Sequence, residues 1–173
     1  MSDTTHPVLA AIRQRRSIRT FTPAALTEDE ITAILEAGVW APSGLNNQPW
    51  KFLVVRTGDP RKEILAGLTK YTHILNGADT LFCVFLDKER MYNPLKDHQV
   101  AGAAIQNMLL AVHALGLGAV WIGEIINRPD EVMDAIGVDK EQYEFMAVLA
   151  VGHPDQKGSS SRRELESFLM EAR

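Results

Sequence analysis

Arg15, Ser17 and Arg19 stand at alternate positions near the start of the sequence. In an extended stretch alternate side chains share a face, so two guanidiniums and a hydroxyl would point the same way. A guanidinium pairs in bidentate fashion with phosphate or carboxylate, and this is the pattern of an anion grip. A solvated basic edge, paired with the chain's many acidic residues, is the other reading. A second basic pair, Arg162-Arg163, follows the Gly/Ser-rich stretch 158–161. Such an arm could close over a phosphate, or could be a soluble tail.

The segment Ala41-Pro42-Ser43-Gly44-Leu45-Asn46-Asn47-Gln48-Pro49-Trp50 sets hydrogen-bonding side chains among two prolines and a glycine. Amides present a donor and an acceptor together, which is the complement a heterocycle edge such as a flavin pyrimidine ring requires. Trp50 reads as core. Further on, the apolar run of Gly118-Ala119-Val120-Trp121-Ile122 delivers the chain to Gly123, where a backbone without a side chain can approach a ligand closely. Glu124 beside it could act as an acid or a salt-bridge partner, or could matter through its backbone N–H.

Other chemistries find little support. The five histidines are scattered without His-x-x-x-His spacing, so no zinc-hydrolase reading follows. Ser43 lacks a Gly-x-Ser-x-Gly elbow. Gly116-Leu117-Gly118 ends a helix and precedes a strand, the wrong order for a dinucleotide fingerprint. The single cysteine, Cys83, sits in an apolar run and reads as a buried structural thiol.

The elements that must position these residues alternate. Helical signals fall at 7–16, at 28–38 behind the capping box Thr27-Glu28-Asp29-Glu30, at 60–68, at 97–115 with Asp97 as its cap, at 128–136 and at 164–170. Strand signals fall at 17–21, 51–56, 80–86, 119–122 and 145–151. Residues 71–76 read as a link and 87–96 as a charged loop. The long helix carries alanines on several faces, which predicts burial on more than one side. One α+β domain over residues 1–173 is the economical arrangement. A net charge of −4, from 18 Lys plus Arg against 22 Asp plus Glu, argues against a generic nucleic-acid or anionic-membrane binder. The sequence shows no apolar leader and no run of 18 apolar residues, so a cytoplasmic protein is expected.

Taken in order, Arg15-Arg16-Ser17-Ile18-Arg19-Thr20-Phe21, the segment 41–50 and Gly116-Leu117-Gly118 with Trp121-Ile122-Gly123 resemble the motifs of the nitroreductase family of FMN enzymes. The resemblance spans nearly the whole chain. It implies a central, mostly antiparallel sheet flanked by helices, in an intertwined homodimer with FMN at the subunit interface. Position by position, it implies that Arg15, Ser17 and Arg19 contact the FMN phosphate, ribityl chain and pyrimidine edge, and that Arg162 contacts the phosphate. Pro42, Ser43, Gly44 and Asn46 would reach the flavin from the partner subunit. Gly123 and Glu124 would lie by N5, mainly through backbone. Lys70 and His73 fall where other members contact the flavin or its phosphate.

Some members place a lysine where this chain has Ser160, which shifts phosphate neutralisation onto Arg15, Arg19 and Arg162. Region 87–96, where larger members carry substrate-covering segments, is brief here. The implied activity is hydride transfer from NADH or NADPH to flavin N5, followed by reduction of a small oxidant such as a nitroaromatic or quinone. No side-chain nucleophile or metal is required. A flavin- or nucleotide-binding protein without turnover, or a flavin reductase of another substrate class, would share the phosphate grip.

Overall fold

The structure, a computed structural model, describes residues 6–170; the outermost residues of the 1–173 unit lie outside that range. In chain order its regular elements are α1 (Pro7–Gln14), α2 (Glu28–Val39), β1 (Trp50–Arg56), α3 (Pro60–Gly67), α4 (Thr72–Gly77), β2 (Thr80–Asp87), α5 (Pro94–Ala114), β3 (Gly118–Ile122), α6 (Pro129–Ile136) and β4 (Tyr143–Gly152). Short 3₁₀ turns occur at Gly44–Asn46, Glu124–Asn127 and Leu165–Phe168.

The four strands form one sheet in the order β1-β2-β4-β3, and every neighbouring pair is antiparallel. β2 is buried along its whole length, so its residues divide between two cores. Leu81, Cys83 and Phe85 face the layer of α3, α4 and α6, where Leu65, Leu75, Val132 and Met133 meet them. Phe82 and Val84 face α2 and α5, among Ile34, Ile105, Met108 and Val112. A sheet covered on both faces accounts for the continuous apolar runs at 80–86 and 145–151. The α2–α5 contact is close: a β-carbon on Gly38 would fall 2.9 Å from Met108 Cγ.

Several local expectations hold in detail. Thr27 Oγ1 accepts from Glu30 N at 3.2 Å and Thr27 N donates to Glu30 Oε2 at 2.7 Å, which completes the capping box of α2. Trp50 and Cys83 are buried. Burial pushes the Cys83 thiol up to about 12, so the neutral form packs in the core.

Four expectations are corrected. Residues 72–77 are helical rather than a link; α4 closes with its apolar pair Ile74 and Leu75 buried, too short a pattern to show a period. Asn93, not Asp97, caps α5, accepting from Lys96 N at 3.1 Å. Asp97 lies one turn inside the helix and is fully buried. Residues 17–21 form no strand of a ladder. They make two isolated bridges, Ser17 parallel to Ala119 and Phe21 antiparallel to Pro154. The chain here crosses from the edge of β3 to the segment after β4, so neither neighbour runs beside it long enough to build a ladder. The C-terminal turn at Leu165–Phe168 is 3₁₀ rather than α. No helix among the described residues is long and apolar enough to cross a membrane.

Candidate flavin site

Segment 15–19 lies along the outer edge of β3. Ile18 N donates to Ala119 O at 2.9 Å, and Asp155 N donates to Thr20 O at 3.0 Å from the other side. The approach is tight. A β-carbon on Gly118 would meet Ile18 Cβ at 2.8 Å, and one on Gly158 would press into Arg16, with Arg16 Cγ at 3.0 Å. Gly158 thus lets the tail pass directly over Arg16 and brings Ser159, Ser160 and Arg162 back onto the 15–19 segment.

The result is a small polar cleft of about 240 Å³ lined by Arg15, Arg16, Ser17, Arg19, Ser159, Ser160 and Arg162. Arg162 is held by its own arm, donating to the Ser160 hydroxyl and, at 2.8 Å, to Ser161 O. Among the described residues no carboxylate lies within ion-pair distance of Arg15, Arg16, Arg19 or Arg162. Burial, then the charges of Arg162 and Arg16, lower the Arg15 pKa from its ordinary value. Crowded, unneutralised cations with hydroxyls beside them form an anion site by the chemistry of their donors. The arm and the grip, separate expectations from sequence, are one feature. Arg163 does not share it: its guanidinium stacks 4.6 Å from the centre of the Phe168 ring.

The loop before β1 is unusual in its backbone. Leu45, Asn46 and Gln48 all have positive φ, at 54°, 55° and 47°. Side chains rarely adopt this region unless the surroundings hold them there. Ser43 Oγ accepts from Gln48 N at 3.1 Å and closes the loop on itself. Pro42, Leu45 and Asn46 are exposed. Gly44 lies beneath Tyr92, whose Cζ is 2.7 Å from where a Gly44 β-carbon would stand.

The third group gathers at the end of β3. Glu124 Oε2 accepts from the Thr69 hydroxyl at 2.6 Å, which fixes one oxygen of its carboxylate. Gly123 has an ordinary φ of −81°, and a β-carbon there would meet Trp121 Nε1 no closer than 3.6 Å. The protein itself therefore does not demand glycine at 123; the free space lies on the open side. Lys70, next to Thr69, is exposed with its ammonium 5.2 Å from the Tyr71 ring, and His73 is exposed on α4.

Within one chain, Arg15, Ser17, Arg19 and Arg162 meet in a cleft, and Glu124 is held by Thr69, the residue before Lys70. The loop residues Pro42, Ser43, Gly44 and Asn46 do not line that cleft, and neither do Lys70 and His73. In the sequence Asn47 reads as a loop amide and Asp97 as a cap; their pairing, with Asn47 Nδ2 donating to Asp97 Oδ1 at 2.7 Å, was missed. Asp97 was visible only as a helix-start acid, and no spacing rule links positions fifty apart. A metal site is not part of this picture: among the described residues no group of three or more His, Cys, Asp or Glu could hold an ion.

A three-layer α+β fold with an arginine-rich anion cleft at the sheet edge and a polar, backbone-strained loop defines the class: a scaffold built to hold an anionic ligand. The Nitroreductase family model matches residues 12–70 and 63–153. The chain belongs to the nitroreductase family, whose members are FMN-dependent NAD(P)H oxidoreductases. A protein of Archaeoglobus fulgidus provisionally named NADH dehydrogenase/NAD(P)H nitroreductase is 33% identical over 153 residues, covering 86% of this chain and 87% of its own. A provisionally named nitroreductase of Desulfovibrio desulfuricans, crystallised in complex with FMN, superposes with a TM-score of 0.97 at 58% identity, covering 98% of this chain and 99% of that one. The NADPH:FMN oxidoreductase of Vibrio harveyi, solved with NAD+, superposes with a TM-score of 0.85 at 26% identity over 96% of this chain and 77% of that one.

Proposed function

We propose that the protein is an FMN-dependent NAD(P)H oxidoreductase that works as a homodimer and reduces a small electron-poor acceptor, a quinone or nitroaromatic. The observation that carries this reading is the cleft of unpaired arginines around Ser17. A dianion there would relieve the repulsion among Arg15, Arg16 and Arg162, which no carboxylate among the described residues offsets by an ion pair.

The donors fit the group. Arg15, Arg19 and Arg162 would bind the phosphate, with Ser17 at the ribityl chain. From Ser17, beside Ala119, the edge of β3 leads four residues on to Gly123, where backbone stands open to a flat ring. Bound FMN would supply the redox chemistry, accepting hydride at N5 from NADH or NADPH and passing electrons to the acceptor. The chain's own residues bind and orient. Arg15 and Arg19 place positive charge near the site and would favour an anionic reduced ring. Gly123 and Glu124 would present backbone, while the Thr69 hydroxyl keeps the Glu124 carboxylate turned aside. Lys70 and His73 would reach the site only from its outer rim. No nucleophilic side chain takes part.

The homodimer rests on two features. The loop residues Pro42, Ser43, Gly44 and Asn46 lie outside the cleft of their own chain, and a second copy would bring them to its partner's flavin. Large apolar side chains also stand free: Trp40 is 84% and Leu45 86% exposed, with Val8, Leu9, Ile12, Leu165 and Phe168 exposed as well. We place residues 1–173 as one such unit, acting in the cytoplasm, where NAD(P)H is made and consumed.

The test is spectroscopic. Purified protein should retain FMN, identified after release by mass spectrometry. Under anaerobic conditions NADH or NADPH should bleach the flavin absorbance, and a quinone should restore it. FAD in the released fraction, or a flavin that neither dinucleotide bleaches, would contradict the proposal. The second outcome would favour a flavin-binding protein without turnover.

A further inference from the structure

A buried carboxylate ties two surface segments together next to the flavin loop. Asp97 Oδ1 accepts from Asn47 Nδ2 at 2.7 Å. Its other oxygen, Oδ2, accepts from the backbone N–H groups of Tyr92 and Asn93, at 3.0 and 2.9 Å. The Asn47 amide also donates to Arg90 O at 3.0 Å. One carboxylate and one amide thus span fifty residues and fix both the loop 43–48 and the segment 90–93.

Both clamped segments need such a constraint. Asn47 lies between Asn46 and Gln48, two of the three residues with positive φ, and such backbone persists only where its surroundings over-determine it. Tyr92, the residue whose N–H Asp97 holds, covers Gly44 so closely that a β-carbon there would have to displace the ring, with Cζ 2.7 Å away. Its ring is half exposed and carries the Lys96 ammonium 5.4 Å from its centre.

We infer that Asn47 and Asp97 are a positioning pair. They preset the flavin loop and hold Tyr92 over Gly44, where its ring limits the size of the acceptor that reaches the flavin. The inference rests on the FMN reading above. Neither residue touches the cofactor; both act through Gly44 and Tyr92. On this inference a narrow planar acceptor, a single-ring quinone or nitroarene, reacts faster than a fused-ring one.

The experiment compares wild-type protein with Asn47→Ser, Asp97→Asn, the double variant and Tyr92→Ala, each measured for FMN affinity, melting temperature and rate of reoxidation by benzoquinone and by a fused-ring naphthoquinone. Asp97→Asn turns amide against amide at Asn47 while keeping an acceptor for the Tyr92 and Asn93 N–H groups. Each single clamp variant should weaken FMN binding by about tenfold. The double variant should be no worse than either single one, as expected of groups acting through one another. Tyr92→Ala and both clamp variants should raise the naphthoquinone-to-benzoquinone rate ratio by about tenfold. If melting temperature falls while FMN affinity and the quinone ratio stay at wild type, the pair supports only the fold and the inference is overturned. Independent, multiplying effects in the double variant would overturn it too. If Asp97→Asn does not fold, Asn47→Ser and Tyr92→Ala decide by the quinone ratio alone. Wild-type protein that binds no FMN would instead overturn the underlying reading, before any variant is made.

Discussion

Arg162 and Arg15 meet across a cleft in which no described carboxylate lies within ion-pair distance of either. Truncating Arg162 should therefore weaken FMN binding and leave the chemistry at N5 largely unchanged, because the phosphate contributes uniform binding. A hydrogen bond to a charged group is worth about 1.5–3 kcal/mol, so Arg162→Ala should lose about tenfold to a hundredfold in affinity. Arg163 cannot readily substitute, since it is stacked on Phe168. Titration of apoprotein, with turnover at saturating FMN, checks this; normal binding with collapsed turnover would assign Arg162 to the dinucleotide or the acceptor. Cys83 is the opposite case. With its thiol pushed up to about 12 by burial, it should resist thiol reagents at pH 8 in the native state, and Cys83→Ala should retain turnover at a cost of about 1 kcal/mol for a small cavity. Rapid labelling of the folded protein would contradict that. Asp97 gives a pH signature. Burial pushes its pKa up, but hydrogen bonds from Asn93, Asn47 and Tyr92 together outweigh this, and the net value is lowered. A carboxylate with a depressed folded pKa stabilises the fold fully above its unfolded value, about 3.9. That stability is lost as pH falls through the lower folded value. Acid unfolding of wild-type protein should thus be steeper below about pH 4 than that of Asp97→Asn.

Elements carry the cleft by close approach rather than by regular structure. Segment 15–19 would be unremarkable if Gly118 and Gly158 did not let Ile18 and Arg16 lie against them. Gly158→Ala drives a β-carbon into the Arg16 stem and should push the tail off the cleft. We expect it to lower FMN affinity about as much as Arg162→Ala does, on the order of tenfold, with little change in melting temperature because 158–162 lie outside the core. An unchanged affinity would show that the tail does not need that contact. Much of this level was legible beforehand. The capping box fixed the start of α2, and the apolar runs at 80–86 and 145–151 are the two central strands. The motif residues of the cleft were legible as a grip, though only as one of two readings. What was hidden follows from physics that sequence periodicity does not carry. α4 is too short to show a period. The 17–21 stretch alternates like a strand but finds a different neighbour at each end. Asp97 looked like a helix cap, whereas it holds the Tyr92 and Asn93 N–H groups just before the helix and, fifty residues away, the Asn47 amide. Gly158 read as flexibility, and its role is to make room.

At the scale of the whole molecule, a single copy holds the arginine cleft but exposes its loop and a set of large apolar side chains. Trp40 and Leu45, at 84% and 86% exposed, flank the loop that the family resemblance sends to a partner's flavin. Isolated exposed apolar residues are ordinary, but a Trp, a Leu and the α1 trio Val8, Leu9 and Ile12 left exposed together supply the apolar area that the proposed dimer would cover. Burying Trp40 alone would contribute about 2–3 kcal/mol. The protein should therefore be a dimer at micromolar concentration, by light scattering or sedimentation. Replacing Trp40 by Lys removes that apolar area and places a charge in its stead, which a closed interface can accommodate only at the cost of desolvating it. Trp40→Lys should shift the equilibrium toward monomer, and FMN should be lost in parallel, although every phosphate-binding arginine of the cleft is untouched. That pairing is the informative result, since Trp40 does not line the cleft of its own chain. A monomeric variant that holds FMN as tightly as the dimer would show that one chain binds its flavin alone. Pro42, Ser43, Gly44 and Asn46 would then have to serve their own subunit's site, or none.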